Sequence, residues 1–206
     1  MSDLYCPARL LICRHGDAAY ERPDLILDDD GWLTELGRDQ AGRLGERLRA
    51  ERVAAVYTST LGRARETGEI VGAAVGVPAR AIAGIQEFSV GEFAGRRSSD
   101  PCVSRVFATW VGGDLTVGCP GAETGSEVVR RFSGALDALA DQHRGESVVV
   151  ISHGGVMSLS IADTSTNATS QLTRQRVLPN CAVVTVEIDG DGWRLVGDWP
   201  GRPHPG

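Results

Sequence analysis

The chain has 206 residues, 42% of them hydrophobic, which suffices for one domain with a full core and is short for two. Its formal net charge of −6 excludes overall attraction to nucleic acid or to an anionic membrane, so an anionic ligand must be drawn by a local basic pocket. All 21 basic residues are arginine, and the absence of lysine excludes both a Walker A phosphate loop and Schiff-base chemistry.

Leu10-Leu11-Ile12-Cys13 is an apolar run that stops at Arg14, His15 and Gly16. This predicts a buried strand delivering a cation and an imidazole to the rim where α/β sheets bind ligands. Residues 17–30 are polar and acidic and read as a loop near that rim. Thr34 is placed to cap a helix in which Ala41, Leu44 and Leu48 recur at helical spacing. A second apolar run, Val53 to Tyr57, ends at Thr58 and Ser59. The helix after it turns Ala64, Gly68, Val71 and Val75 inward and closes at Gly76. Successive helical residues rotate by about 100°, so of Arg63 and Arg65 only one can face the rim.

After a short β-like piece from Ala79, residues 88–122 show no sustained periodicity and read as an insert capping the rim, with a short helix around 103–111. Thr124 and Glu127 have capping-box spacing, and Val128, Phe132, Leu136 and Leu139 continue a buried stripe towards His143. The third apolar run, Ser147 to Ile151, again stops at a histidine, in Ser152-His153-Gly154-Gly155. A short helix follows from Val156. Cys181 to Ile188 and Trp193 to Trp199 flank an Asp-Gly turn and read as an antiparallel hairpin, and residues 200–206 as a disordered tail. Strands alternating with helices predict a single α/β domain over 1–206. Its form is a three-layer sandwich whose mostly parallel central sheet has one antiparallel edge strand and is flanked by helices.

In such a sheet Arg14, His15, Arg63 and His153 converge on one side, as a compact anion such as a phosphoryl group requires. A lone histidine at a strand end is ordinarily a satisfied core residue; two, each followed by glycine, shift the reading to function. Arg14-His15-Gly16, Ser59-x-Leu61-x-Arg63-Ala64-x-x-Thr67, Glu87 followed by Gly91 and Gly95, and Ser152-His153-Gly154-Gly155 together resemble the histidine phosphatase, or phosphoglycerate mutase-like, superfamily. Leu33-Thr34-x-x-Gly37-x-x-Gln40-Ala41, Pro120-Gly121-x-Glu123 and Asn180 match further segments of it. The resemblance implies a phosphoglycerate mutase-like fold with His15 as nucleophile. It makes Arg14, Arg63 and His153 the phosphoryl clamp, puts Gly154 in the substrate site, and makes Glu87 the proton donor, with Glu92, Glu123 and Asp17 as rival carboxylates.

Departures from the family pattern concern the branch. The mutase branch has an asparagine where this chain has Tyr20-Glu21-Arg22, and grips its substrate with a lysine and an arginine pair that Arg96 and Arg97 do not match in position. The expectation is therefore an acid-type phosphatase acting on a small phosphorylated metabolite through a phosphohistidine. Phosphoglycerate mutase, a phosphoprotein (phosphohistidine) phosphatase and a non-catalytic phosphate-binding regulator are the alternatives.

The cationic side chains do the work of a metal, so no metal and no cofactor are expected; His143 and His204 lie in a helix end and the tail. Five widely spaced cysteines without a C-x-x-C pair, no basic leader and no apolar run near the roughly 18 residues of a membrane span fit a cytoplasmic protein. A homodimer stays open, and no nucleic-acid or membrane partner is expected.

Overall fold

The computed structural model describes residues 6–28, 31–169 and 176–203. Its centre is a six-stranded sheet of β1 (Ala8–Arg14), β4 (Val53–Thr58), β5 (Ala79–Ala81), β6 (Ser147–Ser152), β8 (Val183–Asp189) and β9 (Gly192–Val196), in the order β5-β4-β6-β1-β8-β9. The first four in that order are mutually parallel, and the antiparallel edge is a hairpin: β8 runs against β1, and β9 returns beside it. Two-residue strands lie outside the sheet, β2 (Ala18–Ala19) pairing with β3 (Trp32–Leu33) and β7 (Arg176–Val177) with β10 (Arg202–Pro203).

The side-chain period of two along each strand divides the core between the faces. Leu10 and Ile12 of β1, with Val148 and Val150 of β6, pack on one face against α4 (Gly125–Gln142) and α5 (Gly154–Thr164). Leu11, Cys13, Val149 and Ile151 pack on the other face against α1 (Glu35–Leu48) and α2 (Gly62–Val75). Strands covered on both sides carry continuous apolar sequence for this reason.

The helix ends follow the side chains available to cap them. Thr34 Oγ1 accepts the Gly37 N–H at 3.0 Å, and Thr124 and Glu127 close the capping box of α4. Gly76 ends α2 at φ 77°, a left-handed conformation that glycine adopts without strain. A β-carbon at Gly16 would lie 2.5 Å from the Gly37 carbonyl oxygen, so the chain leaving β1 can touch α1 only through glycine.

Between β5 and α4 the chain leaves the layers. It carries a 3-10 turn at Gly91–Phe93 and α3 (Pro101–Val111), which Asp100 caps by accepting the Cys102 N–H at 2.8 Å. Val90, Phe93 and Cys119 form a small core there, joined by Ile26 from the segment after β1. The expected disordered tail is corrected at Arg202–Pro203, whose backbone pairs with β7; residues 204–206 lie outside the described residues. Among the described residues, no helix is long and apolar enough to cross a membrane.

Candidate active site

The parallel register sets Arg14 beside Ser152, so the next residues of the two strands, His15 and His153, leave the sheet together. Their ring centroids are 5.2 Å apart. The His15 main chain is held from two sides: Gly16 N–H donates to Thr67 Oγ1 at 3.1 Å, and Asn180 Nδ2 donates to the His15 carbonyl at 3.1 Å.

The tautomer of His15 follows from its neighbour. Nδ1 lies 2.7 Å from the Gly16 carbonyl oxygen, which can only accept, so Nδ1 carries the proton and Nε2 holds the lone pair. Arg63 Nε donates to that Nε2 at 3.2 Å. Burial pushes the imidazole down from its ordinary 6.5 to about 3; the Gly16 hydrogen bond opposes the fall, and Arg63 and Arg14 add to it. His15 is therefore a neutral imidazole beside two guanidinium groups.

Arg14 donates through Nη1 to the Leu178 carbonyl, while its Nε is buried without a partner among the described residues. The guanidinium of Arg63, 6% exposed, stacks on Tyr20 with 5.5 Å from Cζ to the ring centroid. His153 is fully buried and bonds through Nε2 to Ser59 Oγ at 2.8 Å, leaving Nδ1 buried and unpartnered among the described residues. Burial first, then Arg63, holds its pKa well below the ordinary value.

Glu87 reaches this floor from the loop after β5. Its carboxylate accepts the Gly155 N–H at 2.9 Å and the Val156 N–H at 2.7 Å, in the first turn of α5. Those bonds hold the charged form, yet burial outweighs them and raises the carboxyl above its ordinary 4.5. A β-carbon at Gly155 would lie 2.8 and 2.9 Å from the two carboxylate oxygens and 2.6 Å from Phe88 Cε1, so only glycine admits Glu87 here. Arg131 braces the loop by donating to the Gly84 and Gln86 carbonyls at 2.8 and 3.0 Å while it grips Glu123 with two nitrogens. Arg14, His15, Arg63 and Glu87 share one cavity of about 420 Å³.

A family model for the histidine phosphatase superfamily (branch 1) matches residues 10–198. The chain belongs to that superfamily. Among its relatives is a probable phosphoglycerate mutase, GpmB of Erwinia tasmaniensis, 29% identical over 199 residues that span 93% of this chain and 89% of the relative. Bacillus stearothermophilus YhfR superposes with a TM-score of 0.80 at 27% identity, covering 93% of this chain and 96% of that one. A mycobacterial glucosyl-3-phosphoglycerate phosphatase superposes at 0.78 with 23% identity, covering 95% and 100%, a likeness of fold.

Every site residue read from the superfamily motifs is in this cluster, but not on equal terms. Arg14, His15, Arg63, Glu87 and Gly154 line the cavity, whereas His153 sits behind its wall. The rival carboxylates are elsewhere: Glu123 is bound to Arg131, Asp17 accepts the Thr34 hydroxyl at 2.7 Å, and Glu92 is exposed. Among the described residues lining the cavity, Glu87 is the carboxylate. Three contributors escaped the sequence reading: Tyr20 on Arg63, Arg131 behind Glu87, and an aromatic wall of Phe88, Phe107 and Trp110. The last left one trace, Phe107 and Trp110 three residues apart on one short helix.

Proposed function

We propose that the chain is a phosphatase that hydrolyses a small phosphomonoester without a metal, through a phosphohistidine on His15. The observation that carries this reading is the His15 tautomer: a lone pair on Nε2, kept unprotonated and directed among cations, is what in-line attack on phosphorus needs. As the Nε2–P bond forms and the ester P–O bond breaks, the Arg63 hydrogen bond passes from Nε2 to a phosphoryl oxygen. Arg14 offers its unpartnered Nε to another. Two fixed guanidinium groups then hold the charge that spreads over the phosphoryl oxygens, the work a magnesium ion does in other phosphoryl transfers.

The leaving oxygen needs a proton, and Glu87 supplies it, because its raised pKa keeps the acid form further into neutral pH than an ordinary carboxyl. In the second half of the cycle Glu87 takes a proton from water as its oxygen attacks phosphorus and the Nε2–P bond breaks. His153 acts from below. In the tautomer where the Ser59 hydroxyl donates to Nε2, neutral His153 carries its proton on Nδ1, one more donor for the phosphoryl end.

The test is release of phosphate from 4-nitrophenyl phosphate with a chelator present, together with acid-labile and base-stable labelling of the protein after rapid quench. Full activity or undiminished labelling in His15→Ala would overturn the reading, as would loss of activity to the chelator. The Erwinia relative, a probable phosphoglycerate mutase, favours a second reading, phosphoglycerate mutase. Arg96 weighs against it: this arginine is engaged with Asp100 and stacks over Phe93 at 4.6 Å rather than lining the cavity. Conversion of 3-phosphoglycerate to its 2-phospho isomer faster than phosphate release would favour the mutase.

A further inference from the structure

Above its cationic floor the cavity changes character. Phe88, Phe107 and Trp110 form a three-ring wall, with centroids 5.2 Å apart for the phenylalanine pair, 5.0 Å for Phe88 and Trp110, and 5.7 Å for Phe107 and Trp110. The Phe88 and Trp110 planes meet at 88°, an edge-to-face contact of the kind that fixes ring orientation. Trp110 donates its indole N–H to the Val117 carbonyl at 2.9 Å, so its polar atom is already satisfied within the protein. Leu159 and Leu178 continue the apolar lining, and Val111, at the mouth, remains 39% exposed.

Where a substrate's carbon frame goes follows from the proton donor. The leaving oxygen has to meet Glu87, and Phe88 is the next residue. The Gly155 β-carbon position that is 2.8 Å from Glu87 Oε1 is also 2.6 Å from the Phe88 ring, so carboxylate and ring edge bracket one spot. Carbon bonded to an oxygen beside Glu87 therefore enters the aromatic wall. Among the described residues lining the cavity, the cations are Arg14 and Arg63, both occupied with the phosphoryl group. A second anionic group placed against the aromatic wall would lose water without gaining a partner among the described residues there. A cavity of about 420 Å³ falls within the range of small-molecule sites and has room for a phosphoryl group and one ring-sized substituent.

We propose that the substrate is a phosphomonoester whose alcohol carries an apolar, ring-sized group seated against Phe88, Phe107 and Trp110, and that esters bearing a second anionic group are disfavoured. The proposal deepens the phosphatase reading and rests on it.

The test compares 2-phenylethyl phosphate, glycerol phosphate and 3-phosphoglycerate, all esters of aliphatic alcohols, so that differences report on the cavity more than on leaving-group reactivity. The expected kcat/KM is about tenfold or more higher for 2-phenylethyl phosphate than for glycerol phosphate, with 3-phosphoglycerate lowest, because burying one ring in an apolar site has that effect. Phe107→Ala lowers the phenylethyl-to-glycerol ratio about tenfold. Val111→Asp, at an exposed position that does not threaten folding, lowers it in the same direction. Equal or better turnover of 3-phosphoglycerate, or a ratio unchanged in both variants, overturns this inference and leaves the phosphatase reading standing. Hydrolysis of none of the three esters, nor of 4-nitrophenyl phosphate, overturns both.

Discussion

His15 and Glu87 divide one proton problem between them. Burial drives both towards neutrality, which makes an imidazole a base without its proton and a carboxyl an acid with one. Glu87→Gln should then lower kcat for an alkyl phosphate by about 10²- to 10⁴-fold, the usual worth of a general acid. The loss should be smaller for 4-nitrophenyl phosphate, whose leaving group needs little help. If Glu87 is the donor, activity in the unsubstituted protein should fall on the alkaline side as its carboxyl loses its proton, and the substitution should flatten that limb. Equal losses for both esters would show that Glu87 does not donate. His15, held near 3, stays neutral across that range and sets no limb above about pH 4.

Helix α5 is positioned by the same two side chains it helps to hold. Its first turn presents the N–H groups that Glu87 accepts, and Gly154 and Gly155 leave room for Arg14 and Glu87 against the helix. Gly155→Ala should displace the carboxylate and cost about tenfold to a hundredfold in kcat, as expected for misplacement on the order of 1 Å, with circular dichroism unchanged. Full activity in that variant would mean that the carboxylate position is not critical. These elements were legible in the sequence because their signals are local: apolar runs that stop at Arg14 and His153, the Thr124 box, and the glycine after α2. Phe88 and Tyr20 were not, because they meet Trp110 and Arg63 across long stretches of chain, and the Phe107 and Trp110 spacing on α3 does not say what the pair faces. An aromatic facing a cavity has the same spacing in sequence as one facing the core.

At the scale of the molecule, function is set against stability. His15 is 4% exposed and His153 fully buried, and both have pKa values below the ordinary 6.5, so the unfolded chain binds more protons than the folded one as pH falls from 6.5. Their stabilisation is complete above about 6.5 and is lost as pH falls below it, for His15 towards about 3. Glu87, raised, works in the opposite sense: it favours the fold below 4.5 and loses that contribution as pH rises through its folded value. Two imidazoles against one carboxyl should make the urea midpoint lower at pH 5 than at pH 7. His15→Asn, which cannot titrate, should narrow that difference; an unchanged gap would remove His15 as a cause.

The excursion between β5 and α4 has a consequence for how such a protein can change. Arg14, His15, Arg63 and His153 belong to strand ends and adjoining helix turns whose register is fixed by the sheet, whereas Phe107, Trp110 and Val111 hang on a segment that adds no strand to it. On the proposed reading the phosphoryl clamp and the selecting wall are thus inherited on separate stretches of chain, with Glu87 and Phe88 at the start of the second. A lineage can exchange the second, and with it the compounds it processes, without reinventing the first.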